Sequence, residues 1–116
     1  MKSLATITQK DIETIKMALN DSISDMNSEL KEDMAEKKQI ALLDFKNKYL
    51  KVYGKLRQNP SIYSLSETEL DIVAGGLNDA IQLLEEKLTD VECDAQKKEE
   101  TINIKNDCRR LVELLA

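Results

Sequence analysis

The chain has 116 residues, 41% hydrophobic and 34% charged, with three Gly, one Pro, three Tyr, one Phe and no His or Trp. That is the composition of one helical domain whose core is built from Leu, Ile, Val, Met and Ala. A net charge of −5 argues against a general nucleic-acid binder, and no stretch approaches the ~20 apolar residues of a membrane span.

Residues 1–5 read as a loose start without the apolar segment of a secretory signal, so the cytoplasm is the expected compartment. Thr8-Gln9-Lys10-Asp11 has the form of a capping box with Thr8 as N-cap. Apolar residues then recur at Ile12, Ile15, Leu19, Ile23, Met26, Leu30 and Met34, three or four apart, which predicts a helix over 8–35 with one buried stripe. The pattern resumes at Ala41, Leu42 and Phe45 and runs through Tyr49, Val52 and Leu56, predicting a helix over 40–57. Lys46, Lys48, Lys51, Lys55 and Arg57 crowd this segment, as cations do near a helix C-terminus. Asn59-Pro60 stops it. Ser66-Glu67-Thr68-Glu69 is a second capping box, and Leu70, Val73, Leu77, Ile81, Leu84, Leu88 and Val91 form a stripe over 66–92. After an acidic polar run, Ile104, Cys108, Leu111 and Leu115 mark a last helix over 101–115.

These elements read as two copies of one unit. An offset of 58 lays Leu19-Asn20-Asp21 on Leu77-Asn78-Asp79, Ile23 on Ile81 and Leu30 on Leu88. An offset of 59 lays Phe45-Lys46-Asn47 on Ile104-Lys105-Asn106. The expected organisation is one domain over 1–116, with repeat one at 7–57, a linker at 58–65 and repeat two at 66–116. No Gly or Pro marks a turn near 36–40 or 94–100, which alone would allow one long helix per repeat. The extra residue in the second copy favours hairpins, because within a continuous helix it would rotate everything after it by about 100°. The predicted fold is all-α: two tandem helical hairpins, related by a pseudo-twofold axis, forming a four-helix bundle-like domain.

The halves differ in charge. Residues 1–58 carry 11 Lys/Arg against 9 Asp/Glu, hence +2, and residues 59–116 carry 6 against 13, hence −7. Second helices shorter than the first leave part of each apolar stripe uncovered, and the opposite charges suit antiparallel pairing. A twofold homodimer is therefore expected.

Nothing in the chain points to catalysis. The usual general base and metal ligand is missing with histidine, and no Gly-rich phosphate loop is present. Carboxylates four apart, such as Glu29/Asp33 and Glu86/Asp90, fit a solvated helix face. No enzyme activity, cofactor or metal is expected, and Cys93 and Cys108 read as reduced thiols. Gly75-Gly76 within a helix costs about 1 kcal/mol per glycine relative to Ala. With Ala80, and with Ala18 and Ser22 at the equivalent places of repeat one, the pair forms a strip of small residues suited to close helix packing, within the chain or across a dimer. Asn20, Asp21, Asn78 and Asp79 are candidate polar contacts for a partner. So is the basic run Lys46, Lys48, Lys51, Lys55 and Arg57, although it lacks the aromatic interleaving of a single-strand binder.

Two resemblances bear on function. Leu65, Ser66, Glu69, Leu70, Val73, Gly75 and Gly76 stand where double-glycine leaders of bacteriocin and modified-peptide precursors have them, which implies cleavage after Gly76. The repeat, however, runs straight across that point. The pattern T-x-x-(D/E)-(I/L)-x-x-(I/V)-x-x-(A/G)-L-N-x-(A/S)-I, from Thr8, resembles small uncharacterised helical proteins of bacteria and their phages; many phage proteins of this size bind and block a host protein, so the resemblance implies an interaction role. The expected function is a non-enzymatic protein-binding module acting on a partner protein. Nucleic-acid association through 46–57 is one alternative, and a precursor peptide with a leader ending at Gly76 is the other.

Overall fold

The computed structural model describes residues 4–89 and 95–115. It contains four helices, α1 (Gln9–Glu29), α2 (Glu36–Gln58), α3 (Glu67–Leu88) and α4 (Ala95–Leu115), with 3₁₀ turns at Leu4–Thr6 and Ile62–Ser64. Helices α1 and α2 form one hairpin and α3 and α4 the other. Helices α1 and α3 pack on each other at the centre, and each also touches both second helices. The all-α, four-helix bundle-like fold read from the sequence is the fold observed.

Both first helices begin as their capping boxes require. Thr8 Oγ1 accepts from the Asp11 N–H and Asp11 Oδ2 accepts from the Thr8 N–H, both at 3.1 Å. Ser66 Oγ accepts from the Glu69 N–H at 3.2 Å, and Glu69 Oε1 accepts from the Ser66 N–H at 3.0 Å. These bonds satisfy N–H groups that a helix start leaves orphaned. Each capping carboxylate is itself buried and holds a cation from the other hairpin. Arg110 of α4 donates to Asp11 Oδ1 at 2.6 Å, and Lys55 of α2 donates to Glu69 Oε1 at 2.7 Å.

The core follows the apolar stripes. Ile12, Ile15, Leu19, Ile23 and Met26 of α1 and Leu70, Val73 and Leu77 of α3 are buried. The second helices contribute Tyr49, Val52 and Leu56, and Cys108, Leu111 and Leu115. Each large side chain of this kind contributes about 1.5–3 kcal/mol on burial.

The connections fall earlier than predicted. Helix α1 stops at Glu29, where the Lys31 and Glu32 N–H groups close tight bonds to Ser28 and Glu29 and end the α-helical ladder. Met34, expected in the α1 stripe, lies half-buried in the connection, and residues 36–40, expected as a turn, open α2. Helix α3 stops at Leu88, and the Thr89 hydroxyl donates to the Glu86 carbonyl at 2.6 Å. Residues 95–100, expected as a connection, are the exposed first turns of α4. Both openings consist of good helix formers facing solvent, where no apolar period marks a helix. Val91 and Cys93 lie outside the described residues.

Helix α2 brings a further correction. None of residues 36–48 is buried. Ala41 and Phe45, assigned to the core stripe, are exposed, Phe45 to 54%. The helix is anchored through Tyr49, Val52 and Leu56 in its second half, so its first half lies over the bundle without entering it.

Candidate functional site: an acid-rimmed groove

The loosely seated first half of α2 leaves a cavity of about 570 Å³ between it and the C-terminal halves of α1 and α3. Met26 of α1, Leu42, Phe45 and Tyr49 of α2, and Leu83 of α3 supply apolar surface. Asp25 and Glu29 of α1 and Asp79 and Glu86 of α3 supply four carboxylates, and among the described residues no Lys or Arg lines the cavity. The Tyr49 hydroxyl donates to Asp79 Oδ2 at 3.0 Å. Burial, followed by the charge of Asp79 and this hydrogen bond, pushes Tyr49 well above the usual tyrosine range, so the hydroxyl stays a donor. Apolar surface fringed with unopposed carboxylates suits a cationic amphipathic ligand.

The opposite side of α2 is apolar too. Ile40, Leu43 and Leu50 are 59%, 41% and 43% exposed. At about 100° per residue they share one face, roughly 150° around the helix from Tyr49, Val52 and Leu56, with Lys46 and Lys51 on either side.

The residues singled out from sequence do not form one site. Ala18, Ser22, Gly76 and Ala80 are buried where α1 meets α3, with Gly75 half-buried beside them. Ser22 Oγ donates to the Gly76 carbonyl at 3.4 Å, and a Cβ on Gly76 would come within 2.7 Å of Leu19 Cδ2. The strip therefore serves close packing inside the monomer, with Gly75 its one partly accessible member. Asn20, Asp21, Asn78 and Asp79 are all exposed. Asp79 faces the groove, whereas Asp21 borders a shallower hollow with Lys87. Partial desolvation raises the Asp21 carboxyl against the opposing pull of Lys87.

The basic run divides between two faces of α2. Lys48, Lys51 and Lys55 border a hollow of about 400 Å³ at the start of α3, together with Ser66, Thr68 and Glu69. Lys48 pairs with Asp44 at 3.2 Å and lies 5.6 Å from the Phe45 ring centroid, while Lys55 is held by Glu69. Lys46 and Arg57 lie on the far side.

Asp25, Glu29 and Glu86 were not singled out from sequence as partner contacts. Their signal was spacing: Asp25/Glu29 and Asp79/Glu86 lie four and seven apart, each pair on one helix face. Among the described residues no group of three His, Cys, Asp or Glu side chains is arranged to hold a metal, and no helix is long and apolar enough to cross a membrane. Comparison with family models, curated proteins and solved structures finds no match to this chain.

Proposed function

We propose that the chain is a non-enzymatic, cytoplasmic protein-binding module that docks a basic amphipathic helix in the groove between α1, α2 and α3. The observation that carries this reading is the pairing of an apolar surface, Met26, Phe45 and Leu83, with four carboxylates and, among the described residues, no cation. Charge of one sign around a desolvating cleft selects a partner of the opposite sign and speeds its encounter. The resemblance to small helical proteins of bacteria and their phages, together with the way many phage proteins of this size block a host protein, makes inhibition of the partner the natural extension. Self-association into a homodimer belongs to the same proposal, supported by Ile40, Leu43 and Leu50 left open on α2.

The nucleic-acid alternative draws less support, since Lys48 and Lys55 already pair with carboxylates and Glu69 sits inside the basic hollow. The leader-peptide alternative requires cutting after Gly76, which lies buried in the middle of α3 with its carbonyl bonded to Ser22.

A labelled synthetic helix of Leu and Lys is a suitable probe, with a Leu/Glu helix of the same pattern as control. The chain is expected to bind the first and not the second. Asp25→Lys with Glu86→Lys is expected to weaken binding by roughly tenfold or more, about 1.4 kcal/mol. Equal binding of both helices, or binding untouched by the double substitution, would overturn the reading.

A further inference from the structure

We infer that the groove is filled by α2 of a second copy of this chain, so that two copies clasp, each α2 laid into the other's groove. The inference rests on the groove being a docking surface for a basic amphipathic helix, and α2 is such a helix. It carries seven Lys/Arg against Glu36 and Asp44. Helices α1 and α3, which supply the carboxylates, carry two Lys/Arg against five Asp/Glu and one against six. The stripe of Ile40, Leu43 and Leu50 gives the apolar face, and Lys46 and Lys51 flank it.

The arrangement satisfies twofold symmetry. If the first half of each α2 lifts off its own bundle, releasing the half-buried Leu42, and slides between α2 of the other copy and its α1–α3 surface, the two inner faces, with Leu42 and Phe45, meet each other across the axis. The outer stripe of each then meets Met26 and Leu83 of the other copy, and Lys46 and Lys51 approach its carboxylate rim. Such a contact is self-complementary and closes on itself, as isologous interfaces do. It also covers two features that the monomer leaves open: an exposed Phe45, and a first half of α2 in which Leu42 is the one apolar side chain packed against the core.

Charge exchange between two full-length variants tests it. One variant carries Asp25→Lys and Glu86→Lys, the other Lys46→Glu and Lys51→Glu, each checked for helix content by circular dichroism. At micromolar concentration the wild type is expected to sediment at twice the monomer mass of 13.2 kDa. Each variant alone is expected to sediment as a monomer, with association weakened at least ~10-fold, because its own helix and groove repel. An equimolar mixture is expected to dimerise again, since the acidic helix fits the basic groove and the basic helix the acidic one. Leu43→Glu, a change at an exposed position, supplies a further monomer whose folding is not at risk. A dimer indifferent to all these substitutions, or folded variants that stay monomeric when mixed, would overturn the clasp. A monomeric wild type that still binds the Leu/Lys helix would overturn the clasp and leave the docking groove standing. A monomer that binds no helix would end both.

Discussion

The Tyr49 hydroxyl and the Asp79 carboxylate, 30 residues apart in sequence, meet in a 3.0 Å hydrogen bond that ties α2 to α3 at the edge of the groove. It is the bond that fixes where the free half of α2 begins. Tyr49→Phe is expected to cost about 1 kcal/mol in urea unfolding. In an Asp79→Asn background the same change should cost less, and the double-mutant cycle measures the coupling. Because Tyr49 titrates above an unfolded tyrosine, the folded chain holds its proton more tightly. Its contribution is complete below about pH 10 and is lost as pH rises beyond that.

At the acid end the sign reverses. Burial by itself would raise Asp11, but the hydrogen bond from Arg110, the Thr8 N–H and the Arg110 charge together hold it below the usual carboxylate range. Glu69 is lowered by the Lys55 hydrogen bond first and the Ser66 N–H second. A carboxyl that ionises more readily in the folded chain adds stability above the ordinary carboxylate pKa and loses it as pH falls below about 4. Denaturant midpoints recorded between pH 7 and 3 are expected to fall, and to fall less steeply in Asp11→Asn. Arg110→Met, which leaves Asp11 buried without its cation, should cost roughly 1–3 kcal/mol at neutral pH.

The glycines of α2 and α3 should respond in opposite ways. Nothing lies within 4 Å of a Cβ placed on Gly54, in the body of α2. Gly54→Ala is therefore expected to raise the melting temperature, gaining about 0.5–1 kcal/mol of helix propensity. At Gly76 the Cβ meets Leu19 at 2.7 Å in a fully buried contact. Gly76→Leu is expected to cost roughly 1–3 kcal/mol through overpacking. A melting temperature unchanged by it would mean that α1 and α3 are not in close contact there.

Cys108 is fully buried, and burial, with Asp107 and Asp21 adding to it, pushes its thiol up to about 11. The thiolate is the reactive form, so native protein at pH 8 is expected to leave Cys108 unmodified by iodoacetamide, with labelling appearing on unfolding. Mass spectrometry of the peptide containing Cys108 reads the outcome directly, and rapid native labelling would contradict the packing of α4.

Much of this fold was legible because its signals are local. Thr8/Asp11 and Ser66/Glu69 announce helix starts three residues apart, and, while Leu30, Ile81, Leu84 and Leu88 further along are only half-buried, the stripes name the buried positions from Ile12 to Met26 and from Leu70 to Leu77. The connections were not, since residues 30–35 contain no Gly or Pro and end α1 through a change of hydrogen-bond spacing alone. The groove was less visible still. Phe45 sits in phase with Tyr49, and periodicity cannot tell a residue that enters the core from one that overhangs it. The cations that Asp11 and Glu69 hold are equally a matter of how two hairpins dock, which no local pattern records.

Those two pairs also set a clock. Asp11 and Arg110 are 99 residues apart, and Lys55 and Glu69, though 14 apart, stand on different hairpins. Neither pair can exist in a lone hairpin, and the Asp11–Arg110 pair, which joins the two ends of the chain, is expected to form only when the hairpins dock. Interactions made after the transition state act on the rate of leaving the folded state and hardly on the rate of reaching it. Arg110→Met should therefore steepen the loss of folded chains over time in a stopped-flow unfolding experiment while refolding keeps nearly its original pace. On that outcome the seam between the hairpins would govern how long the folded chain lasts, and the hairpins themselves how soon it appears.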